Sequence, residues 1–387
     1  MLSCRDLYKI AERLALVLRN AEVPFGGMNM LFAGDFAQLA PAIGREYASL
    51  YTREISHTGT TLPEQKKAMG KALWHQVTTV VILRQNMRQH TESEDDTKFR
   101  TALGNMRYKS CTKEDIDFLR TRIHNPYDPK RPKITDERFR NASIIVSYNI
   151  TKDTINNLGC TRFAQETGQD LSHFYSEDGM YVPDIDNMKP RKRKKYKLTS
   201  NIPSHVQKWL WNQPTCACDK HVPGCLSVCI GMPVMIRTNL ATELCITKGQ
   251  EGFVYNWISG KGIKGQDVLY TLFVRLANPP RNIQFEGLPQ NVVPIYRTTT
   301  RVIVSLPIGP DIPVSRTQIE VLPNFSMTDY SSQGKTRPSN PVDLSNSRTH
   351  QHVYTALSRS STAAGTLILQ RLDAPTITGG VSSALRQ

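Results

Sequence analysis

The spacing of apolar residues changes along the chain, and each spacing predicts a different element. Four apolar residues recur at helical intervals with charged residues between them, which predicts an amphipathic helix near the start; they are Leu7, Ile10, Leu14 and Val17. The short runs 28–33 and 77–83 are mostly apolar and predict strands. Helices that alternate with strands in this way indicate an α/β domain.

Local signals place further helices in the first half of the chain. Thr112 and Asp115 have the spacing of a capping box and predict a helix start. Another helix is expected from Thr151, with Asp153 in its first turn, where the helix dipole favours a carboxylate. The other elements expected here are a helix over 63–76, a helix that buries Phe99, Leu103 and Met106, and a strand over 142–147.

The pattern is less regular in the second half. Scattered prolines and weak periodicity over 159–228 predict a loop-rich insertion in the second domain. Strand-like runs separated by Gly and Pro turns follow, and they predict a β-rich region. These runs are 233–236, 267–276, 300–306, 319–322 and 365–369.

A polar loop directly follows the first apolar run and reads Gly34-Asp35-Phe36-Ala37-Gln38. Ligands of open α/β sheets lie beyond the carboxyl ends of the strands, so this loop is placed to meet one. A carboxamide can donate to a phosphate oxygen and accept from an attacking water, which makes Gln38 a candidate phosphate sensor. Gly34 would let the backbone turn tightly after the strand. The alternative is an ordinary turn with a surface glutamine.

Gly334-Lys335-Thr336 has the ending of a phosphate-binding P-loop, but the pattern around it does not fit. A P-loop needs a glycine five residues before its Gly-Lys pair, and Asp329 stands at that position. The other Gly-Lys pair, at Gly70, is followed by alanine. The sequence therefore indicates no P-loop.

Six strings, read in order, carry a family resemblance. They are GGMNMLFAGDFAQLAP over 26–41, LRQNMRQ over 83–89, SYNITKDTINNL over 147–158, GMPVMIRTNL over 231–240, TDYSSQGKT over 328–336 and YTALSRS over 354–360. Their order resembles the motif series of Pif-type DNA helicases of superfamily one, which are related to RecD and to the helicase part of Helitron transposons. Each string is weak alone, but six in family order are a specific signal.

The resemblance implies a RecA-like fold of the P-loop NTPase helicase class, with an incomplete first domain. Residues 1–90 would be the C-terminal half of the first RecA-like domain, and 91–140 a helical connector. Residues 141–387 would form the second RecA-like domain, which carries the loop-rich basic insertion at about 159–228. A second insertion at about 240–318 would be a small β-barrel that touches DNA.

The resemblance also assigns roles to matching positions. Gln38 corresponds to the family's γ-phosphate sensor, and Arg88 and Arg359 look like the two arginines that reach the γ-phosphate. A planar guanidinium can grip phosphate with two hydrogen bonds, which suits this role. An arginine at a strand end is otherwise often a surface ion-pair partner. The implied nucleotide-side residues are Gly34, Asp35, Gln38, Gln333, Gly334 and Arg359, and the implied DNA-side residues are Ser332, Gln333 and Thr336.

Two family elements have no counterpart in this sequence: the P-loop and the Asp-Glu pair that holds magnesium. ATP and Mg²⁺ are therefore expected as cofactors of the complete family enzyme, and neither is expected to bind tightly to this chain alone. The sequence is interpreted as the C-terminal portion of an ATP-dependent DNA helicase, inactive by itself. One alternative is a non-catalytic nucleic-acid-binding module or transposon relic. Another is that a missing N-terminal half, on a neighbouring exon or a partner chain, completes the enzyme.

Charge agrees with a nucleic-acid partner. The chain of 387 residues has a formal net charge of +15, and such a basic excess attracts polyanions in a salt-sensitive way. Single-stranded DNA is the expected partner, and no membrane segment or secretory signal is visible. The run Lys189-Pro-Arg-Lys-Arg-Lys-Lys195 is a candidate nuclear import signal, a nucleic-acid patch or a solvated loop. We expect a nuclear protein, with mitochondria second; the motifs do not separate replication, recombination, repair, telomere maintenance and transposition.

Eight scattered cysteines indicate a reducing compartment without a disulfide framework. One crowd of possible zinc ligands consists of Cys216, Cys218, His221, Cys225 and Cys229. Its spacing departs from paired Cys-x-x-Cys arrangements, so free thiols beside a strand are favoured over a zinc site. No metal site is assigned.

Overall fold

A computed structural model describes residues 2–52, 61–89, 93–183, 196–305, 311–382 and 385. The chain divides into two compact units. The first unit comprises Met1–Arg140 with Ser332–Gln387, and the second comprises Asn141–Ser331. The predicted division into a half domain, a helical connector and a second RecA-like domain stays a prediction.

The described residues form short and long elements of both types. The helices are α1 Cys4–Leu18, α2 Leu62–Trp74, α3 Glu94–Arg107, α4 Lys113–Thr121, α5 Glu137–Arg140, α6 Asn149–Thr167, α7 Ser204–Asn212, α8 Asp329–Ser332, α9 His350–Leu357 and α10 Ala374–Ile377. The strands are β1 Ile144–Val146, β2 Ser172–Tyr175, β3 Glu177–Pro183, β4 Tyr196–Thr199, β5 Cys225–Val228, β6 Pro233–Ile236, β7 Glu251–Lys261, β8 Asp267–Leu276, β9 Val292–Tyr296, β10 Thr298–Val304, β11 Ile312–Gln318, β12 Val321–Pro323, β13 Ser326–Thr328, β14 Asn340–Val342 and β15 Thr366–Ile368.

Helices α1 and α2 pack closely in the first unit. Ser3 caps α1 by accepting from the amide of Asp6, and the capping box of Thr61 and Glu64 starts α2. A side chain at Gly70 would place its Cβ within 1.8 Å of the Cys4 carbonyl oxygen, so the crossing of the two helices requires glycine there. The core that results contains Cys4, Leu7, Ala11, Phe25 and Leu50.

The apolar stripe predicted for α1 is only partly correct. Leu7 is buried, but Ile10 is exposed, because the face that meets α2 runs through Cys4, Leu7 and Ala11 instead. The expectations for α3 and for the start of α4 are confirmed, but of the three apolar residues expected to be buried by α4, which are Ile116, Leu119 and Ile123, only Leu119 is buried. The three apolar residues predicted for α3 are buried, and both halves of the Thr112 capping box form at the start of α4.

The two strands expected in the first 90 residues are not formed. Neither 28–33 nor 77–83 belongs to a strand ladder of the described residues. Leu31 is 91% exposed and Leu83 is 90% exposed, which is unusual for runs of this composition. A strand forms only where a neighbouring strand supplies backbone hydrogen-bond partners, so apolar composition alone does not determine whether these runs become strands.

Parallel strand pairs confirm the α/β class. In the second unit β1 pairs with β13, and in the first unit β14 pairs with β15. Asn156 on α6 accepts from the amides of Phe325 and Ser326, which fastens α6 to the start of β13. Asp153 does not serve the helix dipole as predicted: it is buried, binds Thr215 and the amide of Cys216, and pairs with Lys152.

Antiparallel sheets make up most of the second unit. One sheet has the order β12-β6-β7-β8-β9, another the order β10-β11-β3-β4, and β2 pairs with β5. The five-stranded sheet covers the larger core, and α7 covers the inner face of the second sheet. The described part of 159–228 therefore contains helices and strands, in contrast to the loop-rich segment expected from the sequence.

No helix in the described part of the chain is both long and apolar enough to cross a membrane.

Candidate functional site

Asp35 organises the loop that follows residues 28–33. Its carboxylate accepts from the amide of Ala37 at 3.0 Å and from the Gln38 side chain at 3.4 Å. The amide of Gln38 also donates to the Asp35 carbonyl at 3.1 Å, which closes the turn. An aspartate that bonds the backbone two residues ahead is a common way to hold a tight turn. Gly34 has no positive φ and has open space beside it, so the turn does not require glycine there as predicted.

Arg107 and Tyr354 hold the same carboxylate. Both terminal nitrogens of Arg107, at the end of α3, donate to Asp35 at 3.0 Å. Arg107 also donates to the Tyr354 hydroxyl at 3.1 Å, and that hydroxyl lies 3.5 Å from Asp35. Burial raises the pKa of Tyr354, and the charge of Asp35 raises it further. The loop of Gln38 is therefore fastened to α3 and α9.

Arg88 reaches the opposite end of α9. Its Nε donates to the Thr336 hydroxyl at 3.1 Å, and its Nη1 donates to the Ser358 carbonyl at 3.0 Å. The next residue, Gln89, is buried and donates to the Ser360 carbonyl at 2.8 Å. The segment 86–89 is thus held against the end of α9 by side chains rather than by a strand ladder.

Arg359 lies directly after α9 and is 1% exposed. Its Nε donates to the Thr355 carbonyl at 2.9 Å and its Nη2 to the Ser358 hydroxyl at 2.8 Å. Burial lowers the pKa of Arg359 to about 10, and the positive charge of Arg88 acts in the same direction. The charge of Asp35 and the Tyr354 side chain oppose this shift, so three neighbours act electrostatically on the Arg359 guanidinium.

The predicted residues are therefore brought together around α9 to different degrees. Arg88 and Arg359 both bond to Ser358, through its carbonyl and its hydroxyl respectively. In the described residues Gln38 is joined to them through Asp35 and Tyr354, without a direct hydrogen bond to either arginine. Their functional roles stay predictions, because geometry alone does not assign a ligand.

The turn after α8 contains the remaining predicted residues. Ser332 is fully buried, Gln333 is half-buried, and Gly334 and Thr336 are exposed. Gly334 has φ +81°, in the left-handed region that favours glycine, and open space lies beside it. Of these residues, Thr336 accepts the hydrogen bond from Arg88. The proposed contact of this turn with DNA stays a prediction.

Sequence reasoning missed three residues of this site. Tyr354 lies inside the string YTALSRS without an assigned role, and neither Arg107 nor Gln351 was singled out. Gln351 donates to the Phe36 carbonyl at 3.0 Å. An arginine at a helix C-terminus is a weak signal, since it also suits the helix dipole. Only the neighbours of Arg107 in space show that it binds Asp35 and does not merely suit the helix dipole.

The side chains of the zinc alternative do not come together in the described residues. No three His, Cys, Asp or Glu side chains of the described residues are grouped closely enough to hold a metal ion. Burial raises the pKa of Cys225 and Cys229, which favours the protonated thiol over the thiolate that zinc requires. The basic run 189–195 and the chain end at 386–387 lie outside the described residues.

Known proteins with similar sequences include DNA helicases. Residues 1–114 match the family model described as PIF1-like helicase. Over these residues the chain is similar to the PIF1-like helicases. It is 27% identical over 143 residues to the ATP-dependent DNA helicase PIF5 of Trypanosoma brucei brucei, a match that covers 34% of this chain and 15% of PIF5. It is also 22% identical over 413 residues to the uncharacterized protein 030L of Invertebrate iridescent virus 6, which covers 92% of this chain and 67% of the viral protein.

Solved structures of Pif1 helicases share the fold. The Candida albicans Pif1 helicase superposes with a TM-score of 0.63 and 19% identity, over all of this chain and 74% of that one. The Bacteroides Pif1 helicase in complex with ADP-AlF3 and single-stranded DNA gives a TM-score of 0.61 and 19% identity, over 98% of this chain and 70% of that one. At this identity the likeness concerns the fold, and it confirms the RecA-like α/β class predicted from the sequence.

Proposed function

We propose that this chain is the C-terminal part of a Pif-type, ATP-dependent DNA helicase and carries the arginine side of the ATP site. One observation supports this above the others. Two arginines meet at Ser358, and neither pairs with a carboxylate in the described part of the chain. Two cations placed together without a directly paired carboxylate favour the binding of an anion.

The hydrogen bonds of these arginines leave capacity for such a ligand. Arg88 uses Nε and Nη1, and Arg359 uses Nε and Nη2, so one Nη of each guanidinium remains for a further acceptor. Phosphate oxygens are the acceptors that arginine pairs grip best. In this proposal the two guanidiniums stabilise charge on the γ-phosphate, and Gln38 orients the attacking water.

The residues present do not fit a magnesium site. Asp35 is the carboxylate of this site, and it is held by Arg107, Tyr354 and Gln38. The P-loop and the Asp-Glu pair that bind phosphate and magnesium in complete helicases have no match in the sequence. We therefore propose that ATP and Mg²⁺ bind only when another polypeptide segment supplies those elements, and that this chain alone is inactive.

The exposed apolar runs support a missing partner segment. Residues 28–33 and 77–83 have the composition of strands but no ladder in the described residues, and Leu31 and the four apolar side chains of 80–83 are largely exposed, whereas Phe32 packs against the core. Pairing with strands of a further segment would bury these side chains and satisfy the backbone. We propose that the segment carrying the P-loop occupies this edge, in the same polypeptide or in a partner.

The experiment compares the isolated chain with a fusion. The isolated chain should hydrolyse ATP at background rate and bind single-stranded DNA weakly. Fusion to the P-loop half of a related helicase should restore DNA-dependent hydrolysis, and Arg359→Ala should lower it by about 10³-fold or more. Arg371→Ala, at an exposed arginine, serves as the matched control.

Two results would change the conclusion. DNA-dependent hydrolysis by the isolated chain that Arg359→Ala abolishes would overturn the proposed inactivity. A folded fusion that binds DNA but never hydrolyses ATP would favour the non-catalytic nucleic-acid-binding module, including a transposon-derived one. We place the protein in the nucleus, with mitochondria as the second compartment, on the basis of the run 189–195.

A further inference from the structure

Two consecutive residues of the first unit bind the backbone on either side of Arg359. Arg88 Nη1 donates to the Ser358 carbonyl at 3.0 Å, and Gln89 Nε2 donates to the Ser360 carbonyl at 2.8 Å. Arg359 is the residue between these two carbonyls. One short segment therefore carries the first arginine of the site and holds the backbone of the second.

The segment 86–89, which we call the arginine turn, is closed by the side chain of Asn86. Its Oδ1 accepts from the amide of Arg88 at 2.9 Å and from the amide of Gln89 at 3.2 Å. Its Nδ2 donates to Gln89 Oε1 at 2.6 Å. An asparagine that accepts from the amide two residues ahead fixes a tight turn. Asn86 is exposed, so these hydrogen bonds rather than burial hold its side chain.

Gln89 anchors the arginine turn to its surroundings. The residue is 4% exposed, and both ends of its carboxamide have a hydrogen-bond partner. Its carbonyl accepts from Arg100 Nη1, on α3, at 3.3 Å. A buried carboxamide that is bonded at both ends is held in one orientation, because any other orientation leaves a buried polar atom unpaired. Gln89 thus joins the turn to α3 and to the end of α9.

The arginine turn needs these side-chain contacts. The run that precedes it, 77–83, forms no strand ladder in the described part of the chain. Arg88 itself is only half-buried. Ordering a backbone segment and a long side chain costs conformational entropy, which contacts have to offset. Asn86 and Gln89 supply contacts that a neighbouring strand would otherwise provide.

We infer that Asn86 and Gln89 are positioning residues, which hold the guanidiniums of Arg88 and Arg359 at one spacing for a shared phosphate. Both carboxamides act through the arginines and do not touch the phosphate. A functional group works only when its supporting hydrogen bonds fix its position closely. Because charge on the phosphate develops during transfer, a displaced guanidinium lowers the rate of the step more than it weakens ATP binding. This inference deepens the proposed function of the same site and rests on it.

The test measures kcat and KM for ATP in the fusion to a P-loop half, with single-stranded DNA present. Asn86→Ala should lower kcat by about 10- to 100-fold and leave KM unchanged, because the arginines are displaced while the P-loop stays intact. Asn86→Ser should keep more of kcat, since a serine oxygen forms the same turn more weakly. Gln89→Ala should lower kcat as well, and thermal melting of each variant separates lost positioning from lost fold.

A double-mutant cycle shows whether Asn86 acts through Arg88. Arg88→Ala alone should lower kcat by about 10³-fold. When Asn86→Ala is added to Arg88→Ala, it should lower kcat by a smaller factor than it does alone, because the guanidinium that it positions is gone. An equal factor in both backgrounds would overturn the inference.

The matched control for Asn86→Ala is Asn125→Ala. Asn125 Oδ1 accepts from the amide of Tyr127 at 3.0 Å, which is the same type of turn elsewhere in the first unit. Its loss should leave kcat and KM unchanged. A decrease in kcat equal to that of Asn86→Ala would show that the loss of any such turn lowers activity, and would overturn the inference.

The full chain without the fusion provides a measurement that needs no activity. Amide exchange of Arg88 and Gln89, followed by NMR, should become about 5- to 10-fold faster in Asn86→Ala, as for the loss of one hydrogen bond. Exchange of these two amides should not change in Asn125→Ala. Unchanged exchange in Asn86→Ala would show that Asn86 does not hold the turn, and would overturn the inference.

The results separate this inference from the proposed function. An active fusion in which neither Asn86→Ala nor Gln89→Ala lowers kcat would overturn the inference and leave the proposed helicase function standing. An active fusion that tolerates Arg88→Ala would overturn the inference together with the role of Arg88. A folded fusion that never hydrolyses ATP would overturn the inference and the proposed function together.

Discussion

The two units each bury an arginine, and the two arginines have opposite surroundings. Arg316 in the second unit is 2% exposed and donates from Nε and Nη2 to Asp178 at 2.9 and 3.0 Å. It also donates to the carbonyls of Val222 and Leu210. Arg359 in the first unit is as deeply buried, but it meets a carbonyl, a hydroxyl and the charge of Arg88.

This difference separates a structural arginine from one that awaits a ligand. A buried charge is tolerated when a carboxylate and further hydrogen bonds compensate for lost hydration, which describes Arg316. Asp178 is itself saturated, since it also accepts from Ser176 and Gln207. Arg359 carries the cost of burial without that compensation, as its lowered pKa indicates. A site that retains such a cost is a candidate for function.

The largest effect is expected when the buried ion pair of Asp178 and Arg316 is broken. Asp178→Ala leaves the Arg316 charge buried without a partner and should lower the free energy of unfolding by about 3 to 5 kcal/mol. Urea denaturation followed by circular dichroism measures this loss. Asp117→Ala removes a carboxylate from an exposed ion pair with Arg120 and should cost less than about 1 kcal/mol. Equal losses in the two variants would contradict the contrast drawn here.

A second prediction concerns the uncompensated arginine. Arg359→Met should change the free energy of unfolding by less than about 1 kcal/mol or increase it, because no carboxylate is left unpaired. Arg316→Met is the matched control and should be strongly destabilising, since it leaves Asp178 buried. Chemical denaturation measures the free energy of unfolding of both variants, and equal losses would contradict this prediction.

The same comparison has a pH dependence with a definite sign. The folded pKa of Arg359, about 10, lies below its ordinary value, so the unfolded state binds more protons above pH 10. The buried charge of Arg359 therefore lowers the free energy of unfolding to its full extent below about pH 10, and this effect decreases as the pH rises further. Above about pH 10, the free energy of unfolding of the wild type should rise relative to that of Arg359→Met. A constant difference between the two proteins across it would contradict the assignment.

The smallest effect on stability is expected at Arg107. Its side chain is partly exposed, so Arg107→Ala should cost about 1 kcal/mol or less despite the two-point contact with Asp35. The loop of Gln38 should nevertheless loosen, because Asp35 loses the donor that fixes its position. Amide exchange at Ala37 and Gln38 should become faster in Arg107→Ala and less so in Arg107→Lys. Unchanged exchange would show that the loop does not depend on Arg107.

Helix starts were predicted from local sequence, and strands were predicted correctly at 233–236 and 267–276, which are β6 and β8, but not in the first 90 residues. The capping boxes at Thr61 and Thr112 depend on residues three positions apart, so the sequence contains all of their partners. Residues 28–33 and 77–83 have the composition of strands, but a strand also requires a neighbouring backbone that composition does not specify. The order within the segment 159–228 was missed because its strands pair with distant ones, such as β3 with β11.

The site shows the same division. The ordered strings pointed to Arg88 and Arg359, and both lie at Ser358, 270 positions from Arg88 in the chain. Nothing in the local sequence of Arg107 or Tyr354 indicated that both bind Asp35, from which they are 72 and 319 positions distant. Side-chain chemistry states what a residue can bind, whereas the fold selects which partner it meets.

The sequence by itself therefore determined the family relationship, the helix starts and the identity of the two arginines at α9. These depend on residue types at short or ordered spacings. The tertiary structure alone decided that Arg359 is buried beside a second cation while Arg316 is buried beside a carboxylate. Burial and charge pairing are properties of neighbours in space, and an arginine carries the same charge in the sequence whichever neighbours it acquires.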